Sequence, residues 1–223
     1  MNDIKQNNAG AERQEHVSPH HGLLLFLKRQ SMSLYLVAGG LLIVALVFAF
    51  YTIKTNRDNE QASRILGVAQ TPQQFEELVR QYPKSPAGPV ALLALASSHF
   101  SSGAYDAALE SYQEFMGKYP KHSMVSVAEL GKGMCSEAKG EMDKALTEFN
   151  AFLQTYPDHF LTPQALFGKA RCLQATGKLA EARVIYEDFI AAHPENKWRV
   201  NAEAALQSLD RQLRRNPPGK QGN

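Results

Sequence analysis

The chain has 223 residues, room for one domain of ordinary size plus further segments. Its 24 basic and 22 acidic residues nearly cancel, which excludes a broad electrostatic pull toward nucleic acid or an acidic substrate. Aromatics make up 9%, no tract is of low complexity, and the balance is that of a helix-rich globular protein.

Residues 1–30 are polar, with Asn, Gln and Gly clusters and no apolar periodicity, and are expected to form a disordered tail. A transmembrane helix is expected over 31–53. Leu34 to Ile53 is a run of twenty residues without a charge, bounded by Lys28 and Arg29 before it and Lys54 and Arg57 after it. At about 1.5 Å per residue such a helix covers roughly 30 Å, the hydrocarbon thickness of a bilayer. Tyr35 and Tyr51 sit near its ends, where amphipathic rings prefer the interface. A buried core helix would be shorter and carry a polar stripe. A cleaved signal peptide fits less well, because the run is too long for an h-region and no small-x-small pattern precedes Lys54. The expectation is therefore a retained single-pass anchor that meets the lipid bilayer through 31–53. Basic residues on both sides leave the positive-inside count undecided, but a large domain crosses regardless of its charge. The expected orientation keeps the N-terminus in the cytoplasm and exports the domain.

Beyond the span, 54–83 reads as a helical linker or degenerate repeat. Thr71-Pro72-Gln73-Gln74 is an N-cap, a first-turn proline and a capping-box partner, and Phe75, Leu78 and Val79 follow as an apolar face. Pro83, Pro120, Pro157 and Pro194 then fall 37 residues apart, closing the phrases Gln81-Tyr82-Pro83, Lys118-Tyr119-Pro120, Thr155-Tyr156-Pro157 and Ala192-His193-Pro194. A fixed period of this size marks a repeat array, in which each unit buries its apolar face against its neighbours. Three full units are expected over 84–120, 121–157 and 158–194. In each, the second helix follows a glycine (Gly103, Gly140, Gly177) and carries a small residue (Ala108, Ala145, Ala182). A large aromatic comes four residues on (Tyr112, Phe149, Tyr186), and a phenylalanine three beyond that (Phe115, Phe152, Phe189). A capping helix is expected over 195–215, with Ala202 in step with Ala91, Ala128 and Ala165. Glu203, Gln207, Asp210 and Arg214 form its polar outer face, and a disordered tail covers 216–223.

Cys135 and Cys172 are also one period apart. Equivalent points on stacked helices lie about 8–10 Å apart, whereas a disulfide needs Cα atoms within about 7 Å. Both are read as small buried thiols. Catalysis has little to stand on, and neither cofactor nor metal is expected. The seven histidines are scattered, none at ligand spacing with a second His, Cys or carboxylate, and His122 and His159 are turn residues. Gly131-Lys132-Gly133 lacks the long loop and following Ser or Thr of a phosphate cradle. No small-molecule substrate is expected.

The small–aromatic–apolar–proline offsets resemble the second helix of the tetratricopeptide repeat, a helix–turn–helix unit. The first helices match through Ala96, Gly133 and Ala170 and through Leu92 and Leu166, while Glu129 and Lys132 depart from the pattern. The resemblance implies an all-α fold: an N-terminal transmembrane helix, then a helix–turn–helix solenoid of 37-residue period with a C-terminal capping helix. It also implies a protein-binding groove on the first helices. Carried onto this chain, that groove is Val90, Leu93, Ser97 and Phe100, then Val127, Leu130, Met134 and Glu137. Gln164, Phe167, Arg171 and Gln174 continue it, and Asn201, Ser208 and Arg211 close it. The set grades from apolar to polar and basic, which suits an extended peptide or amphipathic helix with an apolar part and an acidic part. The apolar members either line an open groove or are covered by the degenerate first unit.

The whole layout, with the Tyr-Pro-x-Ser-Pro phrase at Tyr82 to Pro86, resembles the bacterial ancillary SecYEG translocon subunit and the cell-division coordinator. It is also similar to the outer-membrane assembly lipoproteins, although no lipobox cysteine lies near the N-terminus. That resemblance implies a single-pass protein of the bacterial inner membrane with its repeat domain in the periplasm. It would be an adaptor or holdase contacting the translocon or exported proteins. The alternative is a scaffold for cell-division, wall-synthesis or outer-membrane assembly proteins, with self-association as a variant.

Overall fold

The computed structural model describes residues 20–215. The expected tail at 216–223 lies outside them, as does most of the expected N-terminal tail. Among the described residues all regular structure is helical. The chain divides into two units, residues 1–55 and 56–223.

The first unit contains the start of α1 (His20–Val68). This helix begins inside the stretch expected to be a disordered tail, because Leu23 to Leu27 is an unbroken apolar run that carries the helical sequence back toward His20. Every large apolar side chain from Met32 to Ile53 is at least half exposed. Among the described residues this is the one helix long and apolar enough to cross a membrane.

The second unit comprises the end of α1 and eight further helices: α2 (Pro72–Gln81), α3 (Ala87–Ser101), α4 (Tyr105–Lys118), α5 (Val125–Ala138), α6 (Met142–Thr155), α7 (Thr162–Ala175), α8 (Leu179–Ala192) and α9 (Arg199–Arg215). From α2 onward each helix packs on the next, and α5 also touches α3 and α7. The capping box forms as read: Gln74 N–H donates to Thr71 Oγ1 at 3.3 Å, and Thr71 N–H donates to Gln74 Oε1 at 3.1 Å. Gly140 ends α5 at φ +81°, a left-handed conformation that glycine adopts without a Cβ penalty. Gly103 and Gly177 do the same at +79°.

The repeated core set is buried throughout. Ala108, Ala145 and Ala182 are 0% exposed, and the six aromatics from Tyr112 to Phe189 range from 0% to 8%. The register read from periodicity is therefore the register of the core. α3 is apolar on all sides and is packed between α2, α4 and α5, as a helix without a polar stripe must be. Ala62, Ile65 and Leu66, from the last turns of α1, join the same cluster as Leu78 and Leu93.

Three features of this packing are not visible in the offsets. First, the aromatics of the second helices lie over glycines of the first helices. A Cβ on Gly133 would come within 2.9 Å of the Phe149 ring, and one on Gly168 within 2.5 Å of the same ring. Phe149 is thus held between its own unit and the next. Tyr112 sits over Gly131 in the same way, where a Cβ would clash with the ring face, and burial pushes its hydroxyl up to about 12.

Second, the residue two places after each motif proline caps the turn. Ser85 Oγ accepts from Gly88 N–H at 3.2 Å, and Asn196 Oδ1 accepts from Trp198 N–H at 2.9 Å. His122 Nδ1 and His159 Nδ1 accept from Met124 and Leu161 N–H, both at 3.2 Å. These rings also stand edge-on to Phe115 and Phe152, with centroids 5.6 and 6.1 Å away. The two histidines therefore hold turns together.

Third, the middle unit departs from the apolar pattern to satisfy polar groups. Ser136, 0% exposed, donates to Glu148 at 2.6 Å, and Lys132 pairs with the same carboxylate at 3.4 Å. Burial, and after it the Glu129 carboxylate beside it, raises the Tyr156 hydroxyl above its ordinary value. The capping helix also differs in part from expectation. Gln207 and Arg214 are exposed, but Asp210 faces α8, where Arg183 pairs with it at 3.0 Å.

Cys135 and Cys172 are free thiols, each 0% exposed. Burial pushes both up to about 11, so neither holds an appreciable thiolate fraction at neutral pH. We expect no maleimide labelling of the native protein at neutral pH and labelling of both thiols after denaturation, read by mass spectrometry. Rapid native labelling of either would show that its helix pair opens.

Candidate protein-binding face

The first helices α3, α5 and α7 lie side by side, so the residues expected to form a groove do fall along one set of neighbours. They do not all reach solvent. Leu93, Leu130 and Phe167, at the same place in three units, are 7%, 3% and 6% exposed. Phe167 packs against the rings of Tyr186, Phe189 and Trp198, with centroids 5.5, 5.0 and 6.2 Å away. This position turns toward the second helix of its own unit and belongs to the core, so it offers no surface to a partner. Leu93 belongs to the same core cluster as Leu78 and Val79 of α2, the helix that packs on α3. Val90 and Ser97 stay exposed beside it.

Phe100, Met134, Glu137 and Arg171 converge. Together with Ala138, Met142 and Ala175 they line a depression of about 370 Å³ between α3, α5 and α7. Gln164 contacts the Met134 thioether, Nε2 to Sδ 3.6 Å, without itself lining the depression. Phe100 is braced by Tyr105, with ring centroids 5.4 Å apart. Val127 and Gln174 are half-buried. Asn201, Ser208 and Arg211, on α9, are exposed and stand outside this depression.

Of the two arginines expected at the basic end of the groove, Arg171 is not a free cation. Glu137 and Arg171 form a two-point pair, Nε–H to Oε1 at 2.5 Å and Nη2–H to Oε2 at 2.8 Å. The hydrogen bonds that Arg171 donates to Glu137 raise its guanidinium above its ordinary value, against the smaller opposing effect of burial. The two charges meet because they lie 34 residues apart, which is one period less one helical turn. Spacing within a helix does not show this contact.

A second depression, of about 740 Å³, was not anticipated. It lies where the turns at 157–163 and 193–198 meet, and the rings of His159, Phe160, Phe189 and Trp198, with Leu166, form its wall. Phe160 is 73% exposed. A signal for it exists in the sequence, since the equivalent positions hold Pro86, Ser123 and Lys197 and only this turn carries an aromatic ring at that place. Among the described residues no cluster of His, Cys, Asp or Glu is arranged to hold a metal.

The profile of a tetratricopeptide repeat-like domain matches residues 26–211. No curated protein matches the sequence. Among solved structures, a Podosopora anserina protein of nearly identical tetratricopeptide-like repeats superposes with a TM-score of 0.54 at 17% identity, covering 73% of this chain and 88% of its own. A tetratricopeptide repeat protein from Parabacteroides merdae superposes with a TM-score of 0.51 at 17% identity, covering 72% of this chain and 61% of its own. At these identities the likeness is one of fold. With a profile that spans most of its length and a core register to match, the chain belongs to the tetratricopeptide repeat-like domain family.

Proposed function

We propose that this protein is a membrane-tethered interaction module of the bacterial envelope, an adaptor or holdase that contacts the translocon or newly exported chains. The repeat fold is a scaffold for binding other polypeptides, and folds of this kind are generally not catalytic. The observation that carries the tethering is the exposed apolar surface of α1. From Met32 to Ile53 its large side chains stay uncovered over a length that matches a bilayer, and lipid is the solvent that satisfies such a surface. The expected orientation, with the N-terminus in the cytoplasm and the repeats in the periplasm, belongs to the same proposal.

Alkaline phosphatase fused after Asn223 should be active in cells, and a silent fusion would place the repeats in the cytoplasm. Photocrosslinking from exposed Ser97 should recover translocon subunits or exported chains. Leu130 is unsuitable for this purpose because it is buried. A second reading, a scaffold for folded division, wall-synthesis or outer-membrane assembly proteins, is favoured by the aromatic depression around Phe160. Such a rim suits a fixed surface better than an extended chain. Recovery of those folded partners from a crosslinker at Phe160, with none from Ser97, would establish it.

A further inference from the structure

We infer that the two inner turns of the array, at His122 and His159, are an acid-sensitive switch: a proton on Nδ1 uncaps the turn and loosens the joint between neighbouring units. A backbone N–H can only donate, so Nδ1 of each ring, 3.2 Å from the Met124 or Leu161 amide, has to be the bare, accepting nitrogen. The proton of the neutral ring is then on Nε2. In His159 that Nε2–H donates to Ser126 Oγ, 3.2 Å away on α5. Ser126 is 4% exposed, so both nitrogens of His159 are committed, one to its own turn and one to the preceding unit.

Protonation reverses the role of Nδ1. One N–H would then face another, and the ring must leave the turn to hydrate its new proton. Leaving takes His159 away from Ser126 as well as from the Leu161 amide. It also takes each ring off its edge-on contact with Phe115 or Phe152. A cation does gain from an aromatic ring, but only in the pose that keeps Nδ1 against the amide.

Charged neighbours leave the hydrogen bond to decide. Around His159 they are Asp158 in its own turn, His193 and Lys197 across the depression, and Glu129, which lies beside the Tyr156 hydroxyl. Around His122 they are Lys121 in its own turn and, on α4, Glu114 and Lys118, which pair with each other at 2.5 Å. Lys84 stands in the turn that Tyr119 reaches by donating to the Pro83 carbonyl. All but Glu129 are exposed, so solvent and salt screen them.

The outer turns do not titrate. The same place in the period holds Ser85 in the first turn and Asn196 in the last, and neither side chain changes charge near neutrality. Asn196 Oδ1 accepts from the amide two residues on, as the histidines do. The array thus has two acid-sensitive inner joints between indifferent ends.

The test uses the full chain in lipid nanodiscs at about pH 7.5 and about pH 5.5, on either side of the ordinary histidine value of about 6.5. Below that value the unfolded chain binds protons that the folded chain accepts only by uncapping, so stability should fall as the pH drops. His122→Asn with His159→Asn gives both inner turns the cap of the last one. Between the two pH values the thermal midpoint of the unaltered protein should fall about 4–8 °C further than that of the double variant. His193→Asn, at an exposed ring that caps no turn, should keep the full response. Hydrogen exchange, corrected for the intrinsic rate, should show at least about tenfold loss of protection at 119–125 and 156–162 in acid, with 82–88 and 193–198 unchanged. Nitrogen-15 resonances of the unaltered protein at about pH 7.5 should show both rings protonated on Nε2 alone. Exchange and ring resonances need no variant, so they decide even if the double variant does not fold. An Nδ1–H tautomer at either ring, equal pH dependence in protein and double variant, or equal loss of protection at all four turns overturns the inference.

Discussion

Phe149→Ala is expected to destabilise the protein by about 3–5 kcal/mol, the range for truncating a fully buried aromatic. The ring is 0% exposed and sits between Gly133 of its own unit and Gly168 of the next, so its loss opens a cavity on both sides of one seam. Stability in a repeat array is close to a sum of unit and interface terms. The loss should therefore appear in part as a broadened transition in which α7 to α9 melt ahead of the rest. Urea denaturation of the full chain followed by far-UV circular dichroism measures the size, and hydrogen exchange locates the early melting. Val184→Ala, at a half-exposed position on α8, provides the contrast and should cost no more than about 0.5 kcal/mol. A cost below about 1 kcal/mol for Phe149→Ala would mean that the ring does not carry the joint between the second and third units.

The second large effect comes from adding a single methyl. Gly168→Ala places a Cβ 2.5 Å from the Phe149 ring, and overpacking of this kind costs about 1–3 kcal/mol. Helix propensity works the other way, since alanine is favoured over glycine in a helix interior by about 1 kcal/mol. Gly117→Ala isolates that benefit, because a Cβ there meets nothing within 4 Å, and it should be neutral or mildly stabilising. The two opposite signs at two helical glycines separate contact from propensity. Combining Gly168→Ala with Phe149→Ala removes the clashing ring, so the pair should fall short of additivity by more than about 1 kcal/mol. Full additivity would show that the ring moves aside freely and that the glycine has no packing role.

These two positions also mark where the sequence stops being informative. Phe149 could be placed in the core because four- and three-residue offsets within one helix bring Ala145, Phe149 and Phe152 to a single face, and helical period alone settles that. Gly168 could not be placed. Its partner lies in another unit, and whether the two meet depends on how far one helix pair is rotated against the next.

The same division holds across the binding face. That the first helices would line such a face, with Met134, Glu137 and Arg171 among its candidates, followed from the resemblance to the tetratricopeptide repeat carried along the repeat register. Local chemistry alone likewise marked the Thr71 cap, the turn glycines and the long apolar run of α1, since each depends on residues a few places apart. Tertiary packing alone decided that Leu130 and Phe167 turn inward, and that His122 and His159 serve as backbone acceptors in the turns. It also decided that Glu137 neutralises Arg171 across two helices. Short-range periodicity fixes which side of a helix is apolar. The angle and distance between stacked helices fix which of those side chains remain in reach of solvent, and they arise from the summed packing of whole units.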